Sequence, residues 1–433
     1  MKNSSILSIL VSLFLFLPGW SSAQESKVIS GVVAYQQQDY KKAMADLDQA
    51  LYYPEELTQR NLTKAYYYRA LTRIYLYNNA VLDNDENMIS AHSDAYLDAY
   101  HDLKKALEAD DGTWEKRIAG EFDDLLKGLE QTALIYLNRG LDLQGNSNDA
   151  GYMYKKSIEY AKAAGSIDDT YLAGDIMGQA FLNMGDYNSA AKSFRNSIEA
   201  YNTKPPDVPD FLQGYVYYRL ADINLRQFNN GKESLEIVKA GLEFLHSEHE
   251  RLLNLGNAVE NRGDKKTRYR NVVSDLGRFQ LELYLKLPEM KGEGLNVFSK
   301  AVENEPRNYD LRVAYASLLE TVDMEKAVEQ YDMAREIEPV RELAWFNTGV
   351  VYYNKAREYY QQASSAMQED KYHLLMEEAE KYFDKSRPFF TKTIELNPSN
   401  LSAISALKNI SLLLDNPGDY EKYDAMEKAL KTN

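Results

Sequence analysis

Apolar residues recur along most of the chain at intervals of three and four positions, which is the spacing of one face of an α-helix. The segment EKAVEQYDMAREIEP, residues 325–339, shows this clearly, because Ala327, Tyr331 and Ala334 share one face and Pro339 follows the last turn. A proline there cannot continue the helix. The pattern therefore predicts a helix that ends at this proline and a new helix after it.

The same arrangement repeats at a regular interval. Pro306 lies 33 residues before Pro339, and Pro398 lies 59 residues after it, which equals one 34-residue period plus 25 inserted residues. Small and large residues stand at matching offsets in Gly294, Phe298 and Ala301; Ser386, Phe390 and Thr393; Ala43, Leu47 and Ala50; Ala99, Leu103 and Ala106; and Ala190, Phe194 and Ser197. Preceding helices carry Gly174, Gly178 and Phe181, and Trp345, Gly349 and Tyr352. A small residue lets a neighbouring helix approach, and an aromatic ring fills the remaining space.

These residues and their period resemble those of the tetratricopeptide-repeat (TPR) family. The resemblance implies an all-α protein, a right-handed α-solenoid of about eight TPR-like helical hairpins whose first helices line a concave groove, plus a C-terminal capping hairpin. Lys422, Glu427 and Lys428 are expected on the polar outer face of that cap. We predict two sets of repeats, residues 24–204 and 205–433.

One inserted segment has a helical pattern of its own. Residues 355–380 keep an apolar stripe through Ala356, Tyr359 and Ala363, which predicts a lengthened hairpin, or spur. Two interpretations remain open. The spur binds a partner, or it is a solvated extension without one.

The N-terminal residues are typical of a secretory signal peptide. Lys2 precedes the apolar run ILSILVSLFLFL, and small residues at Ser21 and Ala23 follow. The run has about 12 residues, whereas a membrane-spanning helix needs about 20. We therefore predict a signal peptide at residues 1–23, no membrane span in the mature chain, and export to the periplasm or the outer-membrane or cell surface. The chain contains no cysteine, so packing rather than disulfides would hold the exported protein together.

The formal net charge is −16. Removal of the predicted signal peptide would also remove Lys2 and so make the mature chain more negative by one charge. An acidic surface of this kind repels nucleic-acid phosphates and anionic lipids, so neither is expected as a partner. No catalytic motif is found, and we expect neither an enzyme nor a cofactor. A metal-dependent hydrolase is the least favoured alternative, because His246 and His249 have ligand-like spacing but lack the motif of a zinc protease.

The 34 tyrosines are an unusual number. Most fall on core stripes, but the resemblance places some aromatic and polar residues in the groove. The predicted partner-binding residues are Tyr218, Arg312, Phe346, Asn347 and Tyr353. Rigid rings beside polar donors suit peptide recognition. We therefore predict a non-catalytic scaffold or adaptor of the cell envelope that binds a protein or peptide, with a small-molecule ligand unlikely. The alternative is a glycan-binding surface protein of the SusD-like type, in which aromatic rings stack on sugars.

Overall fold

The computed structural model describes residues 18–143, 147–256 and 261–431, and these residues form nineteen α-helices and no strand. The helices are α1 (Pro18–Gln36), α2 (Tyr40–Ala50), α3 (Gln59–Leu82), α4 (Glu86–Ala91), α5 (Ala95–Ala109), α6 (Glu115–Asp142), α7 (Ser147–Ile167), α8 (Tyr171–Asn183), α9 (Tyr187–Thr203), α10 (Gly214–Arg226), α11 (Gly231–Asn254), α12 (Arg262–Lys286), α13 (Lys291–Asn304), α14 (Tyr309–Leu319), α15 (Met324–Ile337), α16 (Glu342–Ser364), α17 (Glu369–Leu396), α18 (Leu401–Leu413) and α19 (Pro417–Lys431). The all-α prediction is confirmed. Residues 1–17 of the predicted signal peptide lie outside the described residues.

The chain forms two compact units. Unit 1 comprises the described residues of Met1–Phe228 and His246–Lys265, and unit 2 comprises the described residues of Asn229–Leu245 and Lys266–Asn433. The division into residues 24–204 and 205–433 stays a prediction.

Within each unit, helices that are neighbours in sequence, or are separated only by the short α4, pair as hairpins. Unit 1 contains the pairs α1–α2, α3–α5, α6–α7 and α8–α9, and unit 2 contains α14–α15, α16–α17 and α18–α19. Successive hairpins also pack on one another, as α2 does on α3 and α17 on α18. This is the solenoid arrangement predicted from the repeats, because each hairpin buries its apolar stripe against its neighbours.

The small residues of the repeat lie directly against the paired helix, either under an aromatic ring or against the backbone. A Cβ atom on Gly349 of α16 would lie 2.8 Å from Cε1 of Phe390 on α17, and one on Gly174 would lie 2.8 Å from the backbone nitrogen of Ser197. The predicted stripe residue Tyr331 is fully buried. The role assigned to the repeated small and aromatic positions is therefore confirmed.

The second helix of three hairpins, α1–α2, α8–α9 and α14–α15, begins with the same short turn. Asp39, Asp186 and Asp323 each accept a hydrogen bond at the side chain from the backbone N–H three residues later. Such N-caps satisfy an otherwise unpaired donor of the first helical turn. Gln38 and Gly185, which precede two of these caps, have φ values of 63° and 77°. The sequence therefore encodes the turn locally.

The α16–α17 hairpin is much longer than the hairpin before it. Helices α16 and α17 contain 23 and 28 residues, whereas α14 and α15 contain 11 and 14. Residues 355–380 form the outer parts of the longer pair and the turn between them. We call this segment the spur.

The C-terminal hairpin corrects one expectation. Lys422 and Lys428 are exposed, but Glu427 is buried and faces α18, where it accepts hydrogen bonds from Ser405 and Lys408 and also from Lys431. Three donors converge on this carboxylate, and they offset the cost of removing it from water. Glu427 therefore joins the two helices and does not belong to a polar outer face.

Candidate partner-binding surface

Four of the five predicted binding residues lie in unit 2. Arg312 is on α14, and Phe346, Asn347 and Tyr353 are on α16. Tyr218 is on α10 and belongs to unit 1. All five side chains are half-buried. Their assignment to partner binding stays a prediction.

The structure brings Phe346 and Tyr353 together against α17. Their ring centroids lie 5.8 and 6.1 Å from that of Phe390, and Tyr353 also meets Phe383 edge-to-face at 5.5 Å. Edge-to-face and tilted pairs at this distance stabilise packed helices. These two rings therefore hold the hairpin together, and only part of each ring remains available to a ligand.

Arg312 and Asn347 both contact α15. The Arg312 guanidinium donates to Oε1 of Gln330 at 2.8 Å and to the carbonyl oxygen of Pro306 at 2.8 Å. The Asn347 amide donates to the hydroxyl of Tyr331 at 3.2 Å. Both side chains are thus oriented by helices α14–α16 before any partner arrives.

A partly buried polar cluster lies next to Asn347. The Tyr331 hydroxyl is 2.6 Å from Oε1 of Glu320 and 2.9 Å from Oγ of Ser317. Burial raises the pKa of the Glu320 carboxyl above its ordinary value, while the Tyr331 hydrogen bond and the charge of Lys291 oppose that change. The Tyr331 hydrogen bond and the charge of Lys291 therefore do not fully offset the effect of burial on the pKa of Glu320.

A cleft of about 730 Å³ begins at Glu320. One side is the turn between α14 and α15, and the other is the outer part of α16. The lining residues are Glu320, Thr321, Val322, Asp323, Met324, Glu325, Val351, Asn354, Lys355, Arg357, Glu358 and Gln361. We call it the step cleft, because α14 ends at Leu319 whereas α16 continues to Ser364.

A second cavity continues the same surface along the spur. It measures about 440 Å³ and shares Glu358 and Gln361 with the step cleft. Its other lining residues are Gln362, Ser365, Ala366 and Lys371. Beyond it, Met367 is fully exposed at the turn between α16 and α17. One polar helical face thus extends from the α14–α15 turn to the end of the spur.

The sequence contained a signal for this surface that the analysis of motifs missed. Residues Asn354, Lys355, Glu358, Gln361 and Gln362 are spaced by one, three, three and one positions, so they share one face of α16. Four are amides or carboxylates, and the fifth is a lysine. A polar stripe is also the ordinary solvent face of a helix, so only the neighbouring turn shows that it borders a cleft.

The opposite side of the α16–α17 hairpin carries aromatic rings and a buried cation. Arg335 of α15 lies over the rings of Trp345 and Phe389, at 4.8 and 5.0 Å from their centroids. It also donates to the carbonyl of Ala344 at 3.2 Å and pairs with Asp332. Burial lowers the pKa of Arg335 to about 10, so the guanidinium stays charged at neutral pH. This side of the hairpin is closed by α15.

The histidine pair lies at the end of α11. His246 is exposed and His249 is half-buried, and Glu248 between them accepts hydrogen bonds from Tyr201 at 2.7 Å and Arg251 at 2.6 Å. Glu248 therefore joins α11 to α9 through these hydrogen bonds. Among the residues that the structure describes, no group of three or more histidine, aspartate or glutamate side chains has the arrangement of a metal site.

Within the described ranges, no helix has both the length and the apolar character needed to cross a bilayer. This observation covers α1 from Pro18 onward and none of the residues before it.

The fold and packing define the class of protein. Consecutive helical hairpins, with small residues under aromatic rings of the paired helix, make this chain an all-α solenoid protein that resembles the tetratricopeptide-repeat proteins.

Comparison with curated proteins gives one partial relative. No protein-family model matches the chain. The RNA polymerase-associated protein CTR9 of Caenorhabditis elegans is 26% identical over 233 residues. The match covers 50% of this chain and 18% of the relative, so the chain spans less than a fifth of that protein.

Solved structures of TPR proteins match the chain at low similarity. A TPR repeats protein from Bacteroides fragilis is 15% identical, with 65% of this chain and 98% of that chain covered and a TM-score of 0.28. The TPR protein YrrB, described as having an unusual peptide-binding site, is 14% identical, with 66% and 98% covered and a TM-score of 0.27. The P58(IPK) TPR domain is 13% identical, with 91% and 99% covered and a TM-score of 0.27. Because these TM-scores are low, the fold of this chain is described from its own helix packing alone.

Proposed function

We propose that the chain is a non-catalytic scaffold of the cell envelope, and that it binds a partner polypeptide along the polar face of α16. The step cleft is the observation that carries this proposal. This cleft of about 730 Å³ is lined mainly by amide and charged side chains, which can hydrogen-bond to a polypeptide. The location in the envelope is inferred from residues 1–23 alone.

The orientation of the neighbouring residues supports a binding role. Arg312 and Asn347 are held by hydrogen bonds to α15, and Phe346 and Tyr353 are held by α17. Side chains that are fixed before binding lose little conformational entropy when a partner docks. The packed inner part of the α16–α17 hairpin thus holds α16, and with it the polar face, in a fixed position.

Affinity capture tests the proposal. The full chain is immobilised beside a variant in which a four-residue Gly-Asn turn replaces residues 355–380, and both are incubated with an envelope extract. We expect a protein that the full chain retains and the shortened variant does not. That protein is then purified and its affinity is measured for both chains, because capture alone does not establish a specific complex.

A matched control uses Glu329 and Glu336 of α15, which are exposed and lie outside the step cleft. The variant Glu329→Ala/Glu336→Ala should bind the purified partner as the full chain does. Equal affinity of the full chain and the spur variant would exclude the α16 face as the binding surface. Circular dichroism spectra that match that of the full chain establish that the variants are folded.

A further inference from the structure

Helix α12 concentrates positive charge in an otherwise acidic chain. Residues 262–281 contain six cationic side chains and two carboxylates, whereas the whole chain has 50 lysines and arginines and 66 aspartates and glutamates. The cations are Arg262, Lys265, Lys266, Arg268, Arg270 and Arg278, and the carboxylates are Asp264 and Asp275. This part of the helix therefore carries the opposite charge to the protein as a whole.

Two of these cations lie side by side on an exposed face of unit 2. Lys266 and Arg270 are exposed and four residues apart, so they are adjacent on the helix surface. Neither forms an ion pair within the described part of the chain. Burial and the nearby charge of Glu305 raise the pKa of Tyr269, but that residue lies about 100° round the helix from Arg270. Both charges are therefore available to a ligand.

The two carboxylates of the same segment do not neutralise this face. Asp275 lies 3.5 Å from the guanidinium of Arg278 and is directed to that cation. Asp264 is two residues before Lys266, and two residues correspond to about 200° round an α-helix, so it lies on nearly the opposite side. The face of Lys266 thus keeps its positive charge.

A glycine leaves the next part of the same face open. Gly277 is seven residues after Arg270, so it lies two turns further along the same face. A Cβ atom on Gly277 would have no neighbour within 4 Å, so no contact of the described structure requires a glycine there. Glycine also destabilises a helix interior relative to alanine. Its presence beside two unpaired cations allows the backbone of an occupant to approach the helix closely.

The charge of the whole chain decides between anionic occupants. A nucleic acid or a lipid surface presents an extended array of phosphates, which would also meet the acidic surroundings of a chain with a net charge of −16. A short acidic segment of a polypeptide meets only the cationic face. Its carboxylates can accept paired hydrogen bonds from the guanidinium of Arg270 and a further one from the ammonium group of Lys266.

We infer that the face of α12 formed by Lys266, Arg270 and Gly277 binds an acidic segment of a partner polypeptide. The carboxylates of the segment pair with the two cations, and its backbone lies against the glycine. None of these residues lines the step cleft. The inference therefore goes beyond the proposed function and does not depend on it.

A library of random 12-residue peptides displayed on phage is the probe. It is panned on the full chain and on the variant Lys266→Gln/Arg270→Gln, and peptides that only the full chain retains are synthesised. We expect these peptides to contain an excess of aspartate and glutamate. Their affinities, measured by fluorescence anisotropy, should fall as the salt concentration rises, because salt screens exposed charge pairs.

The double variant should weaken binding of the best peptide by about 2- to 30-fold, as for the loss of two exposed ion pairs. The control Arg139→Gln/Lys155→Gln makes the same change of charge on exposed residues of α6 and α7, and it should leave the affinity unchanged.

A second variant tests the approach of the backbone without a change of charge. Gly277→Gln places a side chain over the open face, and we expect it to weaken binding of the same peptide by about 5-fold or more, as for an overpacked interface. Gly151→Gln in α7 is the matched control, because a Cβ atom there also has no neighbour within 4 Å, and it should have no effect. Circular dichroism establishes that each variant is folded.

Four outcomes would overturn the inference: no enriched acidic peptide, equal effects of the two double variants, no effect of Gly277→Gln, or loss of DNA binding in the double variant. The last is measured with a labelled single-stranded oligonucleotide, and phosphatidylglycerol vesicles are tested in the same way. The captured partner and the spur variant decide the proposed function separately. Acidic peptides that bind α12, together with a partner that the spur variant still retains, would support this inference and contradict the proposed function.

Discussion

Gly178 of α8 lies directly beneath the ring of Phe194 on α9, so closely that a Cβ atom on Gly178 would be 2.4 Å from Cε1 of that ring. Phe194 is fully buried. The glycine therefore sets the distance between the two helices of this hairpin.

Gly178→Ala should lower the free energy of unfolding by about 1–3 kcal/mol, because the added methyl group overpacks the interface between α8 and α9. Urea unfolding followed by circular dichroism measures the change. Gly151→Ala in α7 is the control, since a Cβ atom there has no neighbour within 4 Å. That substitution should be neutral or stabilising by up to about 1 kcal/mol, because alanine favours the helix. Equal effects would contradict the proposed packing role.

Asp102 of α5 is only 3% exposed and pairs with two of the three arginines of α3. Its carboxylate lies 2.6 Å from Arg69 and 3.2 Å from Arg73. Asp102→Ala would leave Arg69 and Arg73 with only their more exposed partners, so we expect a loss of about 1.5–3 kcal/mol in the free energy of unfolding. Asp48→Ala removes a second partner of Arg69 whose side chain is 48% exposed, and it should cost at most about 1 kcal/mol. Chemical denaturation of both variants makes the comparison.

Glu427 should make the C-terminal hairpin sensitive to acid. Hydrogen bonds from Lys408, Lys431 and Ser405 lower the pKa of Glu427 from 4.5 to about 2. A pKa that is lower in the folded than in the unfolded state stabilises the fold above about pH 4.5, and this stabilisation is lost as the pH falls toward 2. Amide hydrogen exchange in α19 should thus be faster in Glu427→Gln than in the unsubstituted chain at pH 7.

The ratio of the two exchange rates at each pH removes the intrinsic effect of pH on exchange. We expect the ratio to approach one as the pH falls from about 4.5 toward 2. A ratio independent of pH would show that the carboxylate charge does not hold the hairpin. Glu421→Gln, at an exposed position of the same helix, is the matched control and should give a ratio of one throughout.

Arg335→Lys should destabilise unit 2 although it keeps the charge. A lysine cannot place a planar group over both Trp345 and Phe389, nor keep the same set of hydrogen bonds. The expected loss is about 1–2 kcal/mol in the free energy of unfolding, measured by urea denaturation. Arg357→Lys, at an exposed position of α16, should change it by less than about 0.5 kcal/mol. A similar value for both would rule out a specific role for the stacked guanidinium.

The predicted binding residues show that local spacing does not decide which side of a helix stays exposed. The register of the repeat predicts Phe346 and Tyr353 in the groove, and the structure packs part of each ring against Phe390. Each residue rotates the helical face by about 100°, so a half-buried position at the edge of a stripe can meet either a neighbouring helix or solvent. Glu427 is a similar case, because its place on the buried face depends on where Lys408 lies on the next helix.

The sequence by itself determined the helices, the stripes that pair them and the turns between them, because spacing, N-caps and proline act within a few residues. Tyr331 and Asp323 are examples, one buried and one capping, as the local pattern predicts. Only the tertiary structure decided which surface stays open. The step cleft arises from the difference in length between α14 and α16. Glu320 and Asn354 border it because α16 extends beyond the end of α14 in the packed structure.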